Sequence, residues 1–396
     1  MERFDVIIVG GGVIGCATAR AIALKRPSLS VCILEKEGDL ARHQSGRNSG
    51  VVHAGYNQKP GTMKAKFVVD GSRRLRAFCR ERGVSVIEDG ILIVGRTAQE
   101  ATLRELKGRG EANGARIEWV EKARLKDLEP HVEGDCAIRA VEGASFDARG
   151  YVKALAAESR VPVRLSERVV RVREDGVVAI QTTKGDYECR VLFNAGGLHA
   201  DRLAHQLGVG RDYQILPFRG EYWELVGEAK GLVRSHIYPC PDLQFPFLGV
   251  HLSRTFDQRV IVGPSAALVP GREAYGRFSF SARDVLEMIE WRGLRRMIAS
   301  SEFWELFRRE WRKTFFLSAV VKEIQQLVPA IRKKDVIRSR SGIRAQVVDR
   351  DGKLVDDLVL VETARTVHAL NAVSPALTCS LPFADHVAER IESKLS

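Results

Sequence analysis

The sequence has no Cys-x-x-Cys pair, no internal repeat, no low-complexity segment and no apolar run approaching the ~18 residues of a membrane span. Its seven cysteines, Cys16, Cys32, Cys79, Cys136, Cys189, Cys240 and Cys379, are an odd number without the spacing of a disulfide framework or a metal site. They read as reduced core thiols, and no bound metal is expected. The N-terminus lacks the charged-then-apolar layout of a signal peptide, and three residues precede the first strand-like run. These absences point to a cytoplasmic protein, soluble or peripheral on the inner face of a membrane. Basic residues exceed acidic ones, 62 Lys and Arg against 50 Asp and Glu for a net charge of +12. They are spread along the chain without a nucleic-acid module, which argues against nucleic acid as a partner. An anionic membrane surface and an acidic substrate remain as explanations of the charge.

One cluster departs from that spread. Residues 291–316 run Trp291-Arg292-Gly293-Leu294-Arg295-Arg296-Met297-Ile298, then Phe303-Trp304-Glu305-Leu306-Phe307-Arg308-Arg309-Glu310-Trp311-Arg312-Lys313-Thr314-Phe315-Phe316. A basic, aromatic helical arm of this kind has two readings: it lies in a membrane interface, or it packs its aromatics onto its own domain and turns its charges to water. At 396 residues and 45% hydrophobic, the chain is long enough for a large core and two or three domains.

The most informative stretch is the start, Phe4-Asp5-Val6-Ile7-Ile8-Val9-Gly10-Gly11-Gly12-Val13-Ile14-Gly15, where a buried-strand run leads into G-x-G-x-x-G. Gly10 permits a tight turn, Gly12 lets the backbone approach a pyrophosphate, and Gly15 lets helix and strand pack closely. The helix N-terminus offers unpaired N–H donors to phosphate. A small-residue helix (Cys16, Ala17, Ala19, Ala21) and a second apolar run, Val31-Cys32-Ile33-Leu34, follow. Glu35, 20 residues past Gly15, stands where an acid accepts from ribose hydroxyls. Strand, turn, helix and acid together read as a dinucleotide-binding unit, without separating NAD from FAD.

A glycine-rich polar loop spans residues 43–55. The pattern predicts a helix over 61–82, strands over 86–94 and 117–120, and helices over 98–112 and 151–159. A hairpin is expected from 168–173 and 177–183 around Glu174-Asp175-Gly176, followed by a strand over 187–193 that delivers Asn194-Ala195-Gly196-Gly197. A second glycine turn after a buried strand suits a loop touching the middle of FAD. Sheet over 213–226 and 258–264, the basic helices, sheet over 342–348 and 358–362, and a helix over 375–394 complete the chain. The predicted fold class is α/β, a discontinuous Rossmann-like FAD-binding domain (1–85, 146–212, 331–396) interleaved with a sheet-rich α+β substrate domain (86–145, 213–330).

Several blocks outside the dinucleotide fingerprint resemble the FAD-dependent L-2-hydroxyglutarate dehydrogenases and oxidases. They are His43-Gln44-Ser45-Gly46-Arg47-Asn48-Ser49-Gly50-Val51-Val52-His53-Ala54-Gly55, Leu216-Pro217-Phe218-Arg219-Gly220-Glu221-Tyr222, Tyr238-Pro239-Cys240-Pro241-Asp242 and Phe245-Pro246-Phe247-Leu248-Gly249-Val250-His251. Gly342-Ile343-Arg344-Ala345-Gln346, Leu354-Val355-Asp356-Asp357 and Asn371-Ala372-Val373-Ser374-Pro375-Ala376 belong with them. The resemblance implies a D-amino-acid-oxidase-like fold, bound FAD, and oxidation of L-2-hydroxyglutarate to 2-oxoglutarate, with hydride passing from C2 to flavin N5. It further implies cofactor contacts from Val13, Ile14, Lys36, Gln44, Ser45, Arg47, Asn48, Ser49, Gly50, Val51, Val170, Ala195, Gly196, Gly197, Arg344, Ser374, Pro375, Ala376, Leu377 and Thr378, besides Gly10, Gly12, Gly15 and Glu35.

Loss of hydride from C2 requires loss of the hydroxyl proton, so a base is wanted there, and histidine titrates in a useful range. His53 is the first candidate and His251 the second. Planar guanidinium pairs bidentately with carboxylate, which nominates Arg344, then Arg219, for a dicarboxylic 2-hydroxy acid; Tyr238 could add a hydroxyl donor. Ser374 and Pro375 read as the N-cap and first position of the last helix, whose positive end would face the flavin edge where reduction builds charge. The chain departs from the family pattern at Tyr56-Asn57-Gln58-Lys59, where a tyrosine pair is usual, and at Arg47 and Val373. The first departure bears on substrate choice if it lines the cavity. Other 2-hydroxy acids, glycerol 3-phosphate and secondary amino acids are alternative substrates, a flavin protein without turnover is the other class, and oxygen, a quinone or a carrier protein could accept the electrons.

Overall fold

Val6, Ile7, Ile8 and Val9 are buried on both sides of their strand, as a continuous apolar run in a parallel sheet should be. In the computed structural model, which describes residues 1–243 and 249–395 with the side chains of 302 and 306 left aside, this strand, Glu2–Val9, is central. It pairs in parallel with Val31–Leu34 on one side and Asp186–Asn194 on the other. The antiparallel hairpin Val169–Asp175 and Val177–Thr182 extends the sheet, turning at Gly176 (φ +67°). The late strands Thr366–Ala369 and Leu360–Glu362 close onto Asp186–Asn194, giving eight strands from three separated parts of the chain. Helix Val13–Lys25 buries its small residues Cys16, Ala17, Ala19 and Ala21 against this layer and the last helix, Ala376–Leu395.

A second sheet has nine strands. Its spine is the antiparallel pair Tyr213–Leu225 and Val336–Asp349, paired from Tyr213↔Asp349 to Leu225↔Val336 with one register shift between Glu221 and Trp223. This corrects the expected chain division, which places residues 336–349 in the nucleotide domain: they pair along nearly their whole length with the substrate sheet. The return to the first sheet begins at Leu360–Glu362. The strand expected over 86–94 is two strands, Val86–Ile87 and Ile91–Gly95, broken at Asp89-Gly90, where Gly90 takes φ +77°. The first joins a three-stranded sheet with Val51–Val52 and Ala144–Phe146, and the second joins the substrate sheet. That small sheet carries the polar loop of residues 43–55 against the body of the protein.

The basic arm is helical, Ala282–Glu290, Arg292–Ile298, Ser301–Phe315 and Leu317–Ile324. Leu294 and Met297 pack into a core cluster with Phe218, whereas Phe278, Phe280, Leu286, Ile289, Trp304, Trp311 and Phe316 are exposed. The arm thus packs part of its apolar surface onto its own domain and leaves the rest exposed. No helix among the described residues is long and apolar enough to cross a membrane. The segment Phe245-Pro246-Phe247-Leu248 lies outside the described residues.

Candidate active site

Gly10 sits at φ +107°, and a Cβ there would lie 2.5 Å from the Ala195 carbonyl oxygen, so the first turn meets the second with no room for a side chain. A Cβ on Gly15 would meet the Gly10 carbonyl oxygen at 2.0 Å, which is why helix and strand approach so closely. The helix begins at Val13 after Gly12 with no side-chain cap, leaving its N-terminal donors toward a cavity. Glu35, at the end of Val31–Leu34, is buried and accepts from Gly11 N–H at 2.6 Å and Glu37 N–H at 2.8 Å.

The polar loop is tied to both layers. Ser45 Oγ accepts from Val13 N–H at 3.0 Å, and Gln44 Oε1 accepts from Ala345 N–H at 3.0 Å on the substrate sheet. Asn48 Nδ2 donates to the carbonyls of Gln44 and Ser45, each at 2.9 Å, folding the loop on itself. Arg47 donates to Ser341 O at 3.3 Å and lies over the Tyr275 ring, 4.2 Å from its centroid. In the second turn, Asn194 Oδ1 accepts from Gly196 N–H at 3.0 Å, and its Nδ2 donates to Ala200 O at 2.8 Å and to His368 Nδ1 at 2.9 Å. The wholly buried His368 completes this support through Thr366.

These walls enclose one elongated cavity of about 440 Å³, within the range of small-molecule and cofactor sites. Of the nucleotide-contact expectations, Gly10, Gly12, Val13, Ile14, Glu35, Lys36, Gln44, Ser45, Arg47, Asn48, Ser49, Val51, Val170, Ala195, Gly196, Gly197, Arg344 and Ser374 through Thr378 line it. Gly15 and Gly50 do not. Gly15 serves packing, and Gly50 (φ +68°) turns the chain so that its carbonyl accepts from Phe146 N–H at 2.8 Å.

His53, Tyr238, His251 and Arg344 line the same cavity, with Phe218 and Tyr222. His53 N–H donates to Thr378 Oγ1 at 3.1 Å, which pins the loop to the last helix, and its Nε2 is 3.5 Å from Ser374 Oγ. The ring of His251 stacks on Tyr238 at a centroid distance of 4.0 Å. Its Nδ1 is 3.0 Å from Gly249 O, a contact that assigns the proton to Nδ1 and leaves Nε2 as the acceptor. Burial pulls His53 down to about 4, helped by the nearby His236 and Arg344, and pulls His251 down to about 3. Both imidazoles are therefore neutral near pH 7. Burial also lowers the Arg344 pKa, with Tyr222 and Asp356 opposing, but a guanidinium remains charged in proteins.

Arg219 is a correction. Residues 218, 220 and 222 line the cavity, so the alternation of the strand turns Arg219 to the opposite face. There it pairs with Glu221 at 2.8 Å and donates to the carbonyls of Ala274 at 2.9 Å and Gly276 at 2.6 Å, holding the 270s loop. Glu221 also takes Arg338 at 2.8 Å. Pro375 is displaced by one position: its carbonyl accepts from Cys379 N–H at 3.0 Å, and the helix starts at Ala376, so Pro375 is the cap residue rather than the first helical one. The departure Tyr56-Asn57-Gln58 is absent from the described cavity lining. Tyr56 is buried behind the wall, and Asn113 Nδ2 holds the carbonyls of Gly55 and Gln58 at 3.0 and 2.9 Å.

Sequence reasoning missed Tyr222, although it stands in a quoted motif and the two-residue period of the strand was the available signal. It also missed a polar cluster of Glu37, His43 and Glu273 beside the cavity. The Lys36 ammonium sits among these groups, 2.7 Å from Glu273 and 2.9 Å from His43 Nε2, so a side-chain cation already balances them.

The residues present suit a dinucleotide: a glycine cradle that a Cβ would fill, a buried acid at the end of the second strand, and a second glycine turn abutting the first. Comparison with known proteins agrees. A family model described as FAD dependent oxidoreductase matches residues 5–390. The chain is 37% identical over 416 residues to the mitochondrial L-2-hydroxyglutarate dehydrogenase of Homo sapiens, covering 99% of this chain and 89% of that protein. It is 36% identical over 399 residues to the L-2-hydroxyglutarate dehydrogenase of Escherichia coli strain K12, covering 99% and 94%. Among solved structures, the FAD-bound L-alpha-glycerophosphate oxidase of Mycoplasma pneumoniae superposes with a TM-score of 0.79 at 24% identity, covering 100% of this chain and 95% of that one.

Proposed function

The chain belongs to the family of FAD-dependent oxidoreductases, and from that premise we propose that it oxidises L-2-hydroxyglutarate to 2-oxoglutarate. The observation that carries this reading is a single cavity lined at once by the glycine cradle, by Arg344 and by two neutral imidazoles. Full-length identity to L-2-hydroxyglutarate dehydrogenases from a bacterium and a mammal supports the substrate. FAD, when bound, supplies the acceptor for the two electrons leaving C2. Its holders in this reading are Gly10, Gly12, Glu35 and the Ala195–Gly197 turn, with Gln44, Ser45, Asn48 and residues 374–378.

Arg344 binds a substrate carboxylate, using two N–H donors for its two oxygens. Phe218, Tyr222 and Tyr238 wall the site and keep water from the reacting carbon. His53 takes the C2 hydroxyl proton at Nε2, with His251 Nε2 as the second candidate. A neutral imidazole can accept a proton without first losing one, and their burial ensures that state at pH 7. The test is an anaerobic absorbance titration with L-2-hydroxyglutarate, with the D-isomer, L-malate and glycerol 3-phosphate as controls. Bleaching of the oxidised-flavin bands by the L-isomer alone is the expected result, and bleaching by a control but not the L-isomer would remove the substrate assignment.

For the electron acceptor, the helical arm favours one carried in a membrane, a quinone. Phe278 is 91% and Phe280 67% exposed, next to Leu286 and Ile289 one helical turn apart. The Arg277 guanidinium lies 5.4 Å from the Phe315 ring, joining this loop to the helix of Trp304 and Trp311. Aromatic side chains interleaved with arginines suit an anionic lipid interface. The protein is expected to float with vesicles containing phosphatidylglycerol and not with neutral ones, and the double change Phe278→Ser and Phe280→Ser to weaken that. Equal behaviour on both vesicles would leave the acceptor with oxygen or a soluble carrier.

A further inference from the structure

Four buried polar atoms behind the cavity have no hydrogen-bond partner among the described residues: both ring nitrogens of His236 and both carboxylate oxygens of Asp89. They face each other, with His236 Nε2 at 3.3 Å from Asp89 Oδ1, outside hydrogen-bond geometry. Native interiors rarely leave such groups unsatisfied, and each instance calls for a reason. An apolar pair of the same size would fill this place without burying charge, so packing does not explain these residue types.

Their position offers a reason. His236 opens the strand His236–Pro239 and stands directly opposite Ser253 on the neighbouring strand. Two residues on, and therefore on the same face, Tyr238 stacks on His251 at the cavity. The Cα step from Tyr238 to His236 is about 7 Å, a span covered by a chain of two waters with hydrogen bonds of about 2.8 Å. The Ser253 hydroxyl neighbours that of Tyr238 along this step. His236 is also within electrostatic reach of both His53 and His251. Asp89 sits at the Gly90 break between two sheets and keeps 14% of its side chain exposed, whereas His236 keeps none. Asp89 is thus the more exposed end of a row that starts at the cavity, although its two carboxylate oxygens are themselves buried.

We propose that His236 and Asp89 form a proton-release dyad, positioning residues that clear the active-site base after each turnover. The inference rests on the substrate reading above. In the first transfer the O–H bond at C2 breaks and an N–H bond forms on the base. In the second that N–H bond breaks, a proton arrives through water at His236 with the Asp89 carboxylate beside the imidazolium, and the proton leaves to solvent past Asp89. The base ends as it began, and one proton reaches the medium for each substrate oxidised.

The experiment is an anaerobic stopped-flow single turnover of the flavin-loaded enzyme with L-2-hydroxyglutarate in weak buffer. It follows flavin bleaching and, through a pH-indicator dye, proton release. Wild type is expected to release its proton in step with bleaching. His236→Gln and Asp89→Asn should still bleach, while release lags by at least about tenfold, and added imidazole should restore the timing in His236→Gly. Thermal unfolding and flavin content check that each variant is folded; if the histidine variants are not, the partly exposed Asp89→Asn decides. Release in step with bleaching in the folded variants, or a wild type that bleaches and releases no proton, overturns the dyad. A wild type that L-2-hydroxyglutarate does not bleach overturns the substrate reading instead.

Discussion

Arg344→Met is expected to lower kcat/KM for L-2-hydroxyglutarate by on the order of 10³-fold, because truncating one partner of a buried charge pair costs about 2–5 kcal/mol. Arg344 lines the cavity on the strand Val336–Asp349, directly across from Phe218. Methionine retains much of the length and apolar stem but leaves a substrate carboxylate without its partner in a desolvated site. The loss should fall on both KM and the rate of flavin reduction, since the same contact holds C2 in place. Arg344→Lys restores charge without the fork, so it should recover only part of the loss. Flavin content and unfolding temperature report on the cradle and the fold separately. A methionine variant with wild-type kcat/KM and normal flavin would remove Arg344 from substrate binding.

The second large effect concerns the base. His53→Gln is expected to slow single-turnover flavin reduction by about 10²–10⁴-fold, the usual contribution of a positioned general base. If His251 is the base, His251→Gln should carry that loss and His53→Gln only a small part of it. The pH profile provides an independent check. A base works deprotonated, and burial holds His53 near 4 and His251 near 3. The acid limb of kcat/KM therefore lies near those values, and the rate should be flat from about pH 5 to 7.5. Stability moves in the same direction: unfolded imidazoles protonate near 6.5 and the folded ones much lower, so acid favours unfolding below about pH 6.5. An acid limb at the ordinary imidazole value, or normal reduction in both variants, would rule out a buried histidine base.

The parts of this fold legible in the sequence were those where local chemistry decides. Gly10, Gly12, Gly15 and Glu35 lie within 26 residues, and the turn, close helix packing and terminal acid follow from steric rules in one strand-turn-helix-strand unit. The second turn at 194–197 was readable for the same reason. Arg219 was misplaced because its motif was read as a block, whereas a strand divides every block between two faces. Residues 336–349 were assigned to the wrong sheet because nothing local states which of two sheets a late apolar strand will join; that depends on Tyr213–Leu225, over a hundred residues earlier. His236 and Asp89 were invisible for a related reason: 147 positions apart, they meet only because a parallel pairing brings Ile91–Gly95 beside His236–Pro239. Tyr56-Asn57-Gln58 departs from the family pattern, but none of the three lines the cavity, and Tyr56 is buried.

The alternation of Tyr213–Leu225 has a further consequence, for how such a protein can diverge. Phe218, Gly220 and Tyr222 line the cavity, while Arg219 and Glu221, between them, hold the 270s loop and Arg338. Selection for a new substrate can act on the first set while the second keeps the scaffold unchanged. Cavity-facing and loop-holding positions are interleaved one by one along five residues, but Phe218 also packs into a core cluster and a Cβ on Gly220 would lie 2.6 Å from Pro264 Cβ, so a library that explores new chemistry with little loss of folded clones is centred on Tyr222.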